Sequence, residues 1–389
     1  MRNRTALLLL ALSLASFVTL CALRGAPMAD LLVYRAEGAA VAHGTDLYGF
    51  TVTEWRLPAT YPPFAAVLFV PLTWVPVAAL KAAFLAGNTL LLATLVALSA
   101  RLASRPLPPA PLCTATALAL WLEPVFQTLL FGQINLAVAC LVLADLARPP
   151  GARAQGLCVG VAAGVKLTPA VFVVYLLLRG RVREAATAMA AFAGTVALGA
   201  ALLPAASADF WTRRLYETGR VGKAWIVDNQ SLRGLLARAL GDPGPGLAWA
   251  LPAAAVAVAG LALAARARRD AHGVLLTAFT ALLVCPVSWT HHWVWCVPLL
   301  AVLLAEGHRR TAALTALVFT ARTMWLVPHE GALDLELPWW QQPLAAAYPL
   351  LTVGLILSYD SMINRCPTLS TEQTGKPTCS SRSFRSARR

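Results

Sequence analysis

Apolar runs close to 20 residues long recur along most of this chain, separated by short turns rich in arginine. A run of that length spans the roughly 30 Å hydrocarbon core of a bilayer as an α-helix. In that medium every backbone N–H and C=O must find an internal partner, which leaves helices and closed barrels as the only spanning structures. Runs this long and continuously apolar point to helices, so the pattern predicts an all-α, polytopic membrane protein with about 10–13 spans. Composition agrees: 58% of the 389 residues are hydrophobic and 13% are charged. Soluble domains carry about 25% charged residues.

The formal charge of +14 does not imply nucleic acid. Its arginines fall between apolar runs, where they act as topology signals and contacts for anionic lipid. The densest internal cluster, Arg266, Arg268 and Arg269, has that placement. Eight cysteines are scattered, mostly inside apolar runs, with no CxxC spacing. They read as small hydrophobes rather than as a zinc site or a disulfide framework.

Positive-inside counting orients the chain. Arg2 and Arg4 place the start of the first run, about 5–23, on the cytoplasmic side. The acidic patch that follows, ADLLVYRAEGAAVAHGTDLY, is then outside. The piece 64–79 holds Pro71 and Pro76 and reads as a re-entrant or interfacial element. Spans are expected near 81–100, 112–128, 134–147 and 185–203, and again near 247–265, 271–286, 292–305, 310–327 and 343–359. Segment 156–178 has basic flanks on both sides and is interrupted by Gly164, Lys166 and Pro169. That combination predicts two short helices meeting at a break, the kind of interruption that lines a cavity. Residues 1–359 read as one integral domain with outer loops at 24–62, 204–245 and 328–342; 360–389 reads as a disordered, basic cytoplasmic tail.

The polar elements that are more than turns all map to the outer face, so separate parts of the chain converge there. Asp30 directly follows the first span, with Tyr34, Arg35 and Glu37 close behind, and could serve as a general base or stand as a solvated boundary carboxylate. Asp46 sits in a turn beside Gly44 and reads as structural. Tyr61 precedes two prolines that stiffen its backbone and could face a sugar. Gln133 and Asn135 could cap the FGQIN corner or bind sugar. Lys166 is costly in lipid, so it either snorkels to the interface or faces a cavity and meets phosphate. DNQSLRGLL reads as the start of an amphipathic interfacial helix, with Asn229, Ser231 and Arg233 as candidate substrate contacts. In SWTHHW, His291 and His292 are adjacent and cannot share a helix face. They suit hydrogen bonds to phosphate or acceptor better than a metal, since nothing marks further ligands at metal spacing. Trp289 could belong to an interfacial belt or a stacking surface.

Taken in order, DLLVYRAEGAAVAHGTDLY, TYPPFAAVLFVPL, FGQINLAVACLVLAD, GVAAGVKLTPAVFVVYLLLRGR, DNQSLRGLL and SWTHHWVW resemble glycosyltransferase family 87, polyprenol-phosphate-dependent enzymes of the GT-C type, over about residues 29–300. The family includes mannosyltransferases that build phosphatidylinositol mannosides and lipomannan. The resemblance implies a multi-pass plasma-membrane enzyme with its active site on the extracytoplasmic face and no cofactor or required metal. It implies inverting transfer of mannose from polyprenyl phosphate mannose to a glycolipid or lipoglycan hydroxyl, with an α-1,2 linkage. Asp30 falls on the family's catalytic base. Lys166, Arg233 and His292 become expected donor-phosphate contacts, and Tyr34, Arg35, Tyr61, Gln133, Asn135, Asn229, His291 and Trp289 expected substrate contacts. A polyprenyl-phosphate arabinose donor, a transporter or flippase, and a non-catalytic assembly partner are the alternatives. A transporter would predict an internal repeat and charges in the middle of several spans, and neither is evident in the sequence.

Overall fold

The structure is a computed structural model and describes residues 2–359; the expected tail at 360–389 lies outside the described residues. The described chain is predominantly helical, with one two-residue β-pair, Thr51–Val52 against Leu57–Pro58. Four helices are long and apolar enough to cross a bilayer: Asn3–Leu23 within Arg2–Arg24, then Val77–Leu102, Val182–Leu202 and Gly246–Arg266. Six further apolar helical stretches are shorter, between 10 and 17 residues. The 10–13 expected runs therefore resolve into two kinds of element, full-length spans and short or broken ones.

The run expected as a span at 112–128 is bent by 78° between Pro109–Ala119 and Glu123–Phe131. Pro124 explains the position of the bend. Its ring disfavours helical geometry at the preceding residues and removes one N–H, and Leu122 accordingly leaves the helix with φ −60° and ψ 128°. The break expected around Lys166 is present: Leu157–Val165 ends there, Lys166 is extended at φ −147° and ψ 124°, and a 3-10 turn at Thr168–Ala170 leads into Val171–Leu178. The proline-bearing piece at 64–79 folds as Pro63–Phe69 and a 3-10 turn, Val70–Trp74, together too short to cross a bilayer.

One buried cluster runs from Phe17 near the start to Tyr348 near the end of the described chain, so early and late helices share a core. Helices approach closely where glycine removes the side chain. A Cβ on Gly160 would stand 2.2 Å from the Ala188 carbonyl oxygen and 2.6 Å from the Ala191 Cβ, which lets Leu157–Val165 press against Val182–Leu202. A Cβ on Gly38 would stand 2.4 Å from the Phe69 carbonyl oxygen, which holds the helix after the first span, Ala29–His43, on the Pro63–Trp74 stretch. Gly160→Val is expected to cost about 1–3 kcal/mol by overpacking, seen as a lower melting temperature of the detergent-solubilised protein. Gly194→Ala, where an added Cβ meets nothing within 4 Å, should leave the melting temperature unchanged or slightly raised.

Candidate active site

The first span ends in a sharp turn. Gly25 and Met28 both take left-handed backbone, at φ 61° and 44°, and the chain re-enters helix at Ala29. Asp30 thus stands in the first turn of Ala29–His43, outside the span it follows. The FGQIN corner is brought against it by Gly132, a left-handed cap at φ 68° whose added Cβ would stand 2.8 Å from the Leu31 Cβ. Only a glycine meets both demands without strain. The outcome is a hydrogen bond between Asp30 and Gln133.

Gln133 Oε1 also accepts hydrogen bonds from the Tyr34 hydroxyl at 2.8 Å and the Tyr61 hydroxyl at 3.3 Å; the two hydroxyls are 3.0 Å apart. Tyr34 and Tyr61 are both buried, and Phe69 stacks on Tyr34 with ring centroids 4.6 Å apart. The two tyrosines are thereby held as one wall. Tyr48 donates to the Tyr61 carbonyl at 2.9 Å, and the Glu37 carboxylate accepts from Thr60 N at 3.1 Å, so the strand entering Tyr61 is fixed from behind. Burial pushes Glu37 up to about 8, which makes its neutral form the main one at neutral pH. Asp46 accepts from Tyr48 N at 3.0 Å, a local turn bond that fits its structural reading.

Lys166 lies on the other side. Its Nζ donates to Asn135 Oδ1 at 2.8 Å, contacts His292 Nε2 at 3.2 Å and stands 5.6 Å from the centre of the Tyr61 ring. Asn135 in turn donates to the His291 carbonyl at 3.0 Å, and Thr128 donates to the same oxygen at 3.2 Å. The adjacent histidines have different surroundings, as expected. His292 meets the lysine, while the buried His291 ring packs against Phe131 at 5.9 Å between centroids. Both His291 ring nitrogens lack a hydrogen-bond partner among the described residues. A cavity of about 50 Å³ lies beside Lys166, lined among others by Asn135, Thr168, Phe172, Ser288 and His292.

Electrostatically the two sides form one unit. Removal from water raises Asp30 to about 6, against the lowering effects of the Gln133 hydrogen bond and the Lys166 charge. A second carboxylate, Asp228, adds to the rise. The sequence reading does not single out Asp228 as a site residue. Its Oδ1 accepts from the Thr290 hydroxyl at 2.7 Å and from Thr290 N at 3.1 Å, which ties the 204–245 loop to SWTHH. Burial raises its proton affinity as well. Glu123 is also missing from the sequence reading. It is fully buried and accepts from the Tyr348 hydroxyl at 2.7 Å and Trp325 Nε1 at 3.1 Å. A lone carboxylate inside an apolar run is the signal that could have found it.

Four expected contacts are placed otherwise. Asn229 is fully buried with all its amide capacity spent on backbone: Nδ2 donates to Ala224 O and Pro286 O, at 2.7 and 3.1 Å, and Oδ1 accepts from Ser288 N and Ser231 N, at 2.9 and 3.2 Å. It has no hydrogen bond left for a substrate. Trp289 bridges to Asn229 through backbone and covers Gly222. Arg35 donates to the Thr73 carbonyl at 3.4 Å and has no other hydrogen bond among the described residues. Arg233 bonds Thr218 and stacks over Trp249, and it does not line the cavity beside Lys166. Ser231 acts as the N-cap of Leu232–Leu240, accepting from Gly234 N at 3.2 Å, so the expected helix start is present. Among the described residues no three His, Cys, Asp or Glu side chains are grouped to hold a metal. Asn229→Ala takes a hydrogen bond from four backbone groups, of which the Pro286 carbonyl keeps the Ser231 hydroxyl at 3.4 Å, and should cost about 3 kcal/mol of stability, read as a fall in melting temperature. An unchanged melting temperature with a raised substrate KM would instead make Asn229 a substrate contact.

Comparison with known proteins accords with this geometry. The profile of glycosyltransferase family 87 matches residues 59–288. A polyprenol-phosphate-mannose-dependent alpha-(1-2)-phosphatidylinositol mannoside mannosyltransferase of Mycobacterium tuberculosis is 34% identical over 361 residues, covering 84% of this chain and 83% of the relative. A polyprenol-phosphate-mannose-dependent alpha-(1-2)-phosphatidylinositol pentamannoside mannosyltransferase of the same species is 39% identical over 319 residues, covering 79% of this chain and 74% of the relative. A Mycolicibacterium smegmatis protein described in the same words as the first is 32% identical, covering 90% and 87%. No solved structure matches. By family profile and by relatives aligned over most of their length, the chain belongs to glycosyltransferase family 87.

Proposed function

We propose that this protein transfers mannose from polyprenyl phosphate mannose to a hydroxyl of a lipid-linked envelope glycan, a phosphatidylinositol mannoside or lipomannan, on the extracytoplasmic face of the plasma membrane. The observation that carries the reading is the meeting of Asp30 and Lys166 in one electrostatic unit, one attached to Gln133 and the other to Asn135 two residues on. A carboxylate and a cation within electrostatic reach of each other are what a single displacement at a sugar phosphate needs.

In that reading Asp30 takes the proton of the acceptor hydroxyl as the hydroxyl oxygen bonds to the anomeric carbon. The bond from that carbon to the phosphate oxygen breaks, and its electron pair leaves with polyprenyl phosphate. Negative charge grows on the departing phosphate, where Lys166 stabilises it and His292, in contact with Lys166, adds a hydrogen bond. Attack opposite the leaving group inverts the anomeric centre, so a β-linked donor yields an α linkage; the α-1,2 position rests on the alpha-(1-2) specificity named for the relatives. The phosphate leaves already ionised, so no carboxylic acid is needed to protonate it, unlike the paired carboxylates of glycoside hydrolysis. Tyr34, Tyr61 and Gln133 shape the sugar side of the cleft. His291, with both ring nitrogens unpartnered, is a further candidate for an acceptor hydroxyl.

The test is transfer of radiolabelled mannose from polyprenyl phosphate mannose to phosphatidylinositol mannoside by the purified protein, measured against pH. Asp30 must be ionised to act, and its proton affinity lies near 6. The rate should be level above about pH 7 and fall about tenfold per unit well below pH 6. Absence of transfer, or transfer from polyprenyl phosphate arabinose alone, would overturn the reading.

A further inference from the structure

Arg233 faces a second cavity, separate from the one beside Lys166. That cavity, of about 560 Å³, is lined by Thr218, Arg233, Gly244, Leu247, Trp249 and Pro286, among others. Neither Lys166 nor His292 lines it. The segment Cys285–Ser288 is the partition: Pro286 lines the larger cavity, and Cys285 and Ser288 line the smaller.

The lining has a definite chemistry. The Arg233 guanidinium lies 5.5 Å from the centre of the Trp249 ring and donates one hydrogen bond, to Thr218 Oγ1 at 3.1 Å. No carboxylate stands within ion-pair distance of it among the described residues. Most of its five N–H donors are therefore uncommitted to protein. The nearby acid, Asp242, accepts from Gly244 N at 2.8 Å and does not line the cavity. A cation and a hydroxyl with no lining carboxylate suit an anion with several acceptor oxygens, and guanidinium matches phosphate geometry.

The position selects among phosphates. Trp249 and Leu247 open the Gly246–Arg266 span, and Leu247 and Leu251 are 73% and 67% exposed on its surface. Arg266, Arg268 and Arg269 mark the opposite end of that span. The anion site therefore sits at the membrane boundary, with an apolar helix surface running inward from it. A phosphodiester carrying acyl chains fits both parts, with its phosphate on Arg233 and its chains along the leucines.

We propose that this cavity binds the phosphodiester of a phospholipid-anchored acceptor, across the Cys285–Ser288 partition from Lys166. The inference rests on the acceptor being such a lipid, as in the function proposed above. It moves Arg233 from the donor phosphate to the acceptor phosphate and leaves the donor to Lys166 and His292. The cavity then discriminates acceptors by their lipid phosphate, apart from the sugar hydroxyl that reacts.

The experiment uses the full-length protein in micelles of a maltoside detergent, which carries no phosphate, as wild type, Arg233→Gln and Arg233→Lys. Retention of added phosphatidylinositol is read by native mass spectrometry, and initial rates are taken with acceptor and donor varied separately. Arg233→Gln should lower phosphatidylinositol retention and raise the acceptor KM, each by about tenfold, the size of one lost charge-assisted hydrogen bond. The donor KM should not move, and Arg233→Lys should recover part of both losses. Wild-type retention in Arg233→Gln, or a rise in donor KM instead of acceptor KM, would overturn the assignment. Should wild type transfer no mannose, the enzymatic reading fails, while the retention measurement still decides whether Arg233 holds a lipid phosphate.

Discussion

An ammonium group placed among apolar helices is tolerable only with partners, and the site is organised around that demand at Lys166. Its neighbours come from three distant stretches: Asn135 from the FGQIN corner, His292 from SWTHH and the Tyr61 ring from the first outer loop. Each is held by something else. Asn135 is tied to the His291 carbonyl, Tyr61 to Gln133 and Tyr34. The same Gln133 holds Asp30, so anchoring the cation also sets the carboxylate in place. The break that leaves Lys166 extended is what turns its side chain toward these groups instead of toward lipid.

The segment around Asn229 is tied down although it lies outside the helices. Between Ala224 and Ser231 the chain is tied down by amides and a guanidinium bonded to backbone. Asn229 spans to Pro286 and Ser288, and Gln230 bonds the Val227 and Ala345 carbonyls, both at 2.7 Å. The buried Arg238 reaches the carbonyls of Trp225, Ile226, Asn229 and Ala345. Buried backbone groups need such partners where no regular ladder supplies them. The effect is to hold Asp228 on Thr290 and so keep a second negative charge near Asp30. Without this, Asp30 would ionise at lower pH and be a weaker base.

Sequence patterns revealed what is local. Gly164, Lys166 and Pro169 mark the broken helix, and the repeated apolar runs mark the helical class, because each is a short-range property of the chain. The convergence of Asp30, Gln133, Asn135, Lys166 and His292 is legible through the single side of the membrane that charge counting expects for them and through family resemblance. What depends on the choice of distant partner was not. Asn229 looks like a substrate contact in sequence and is spent on Pro286 and Ser288, which lie more than fifty residues away. Arg233 is close to Asn229 in the chain yet faces a different cavity, because the helix capped at Ser231 turns it toward Trp249. Glu123 is hidden by its apolar context until Tyr348 and Trp325 are seen to meet it.

The most direct measurement is the rate of mannose transfer by purified Asp30→Asn protein, with its melting temperature compared with wild type. An amide keeps the shape and a hydrogen bond toward Gln133 but cannot take a proton. A folded variant should lose transfer by about 10²–10⁴, the usual worth of a positioned general base. Wild-type turnover in that variant would contradict the assignment and show that the base lies elsewhere among the groups around the cleft.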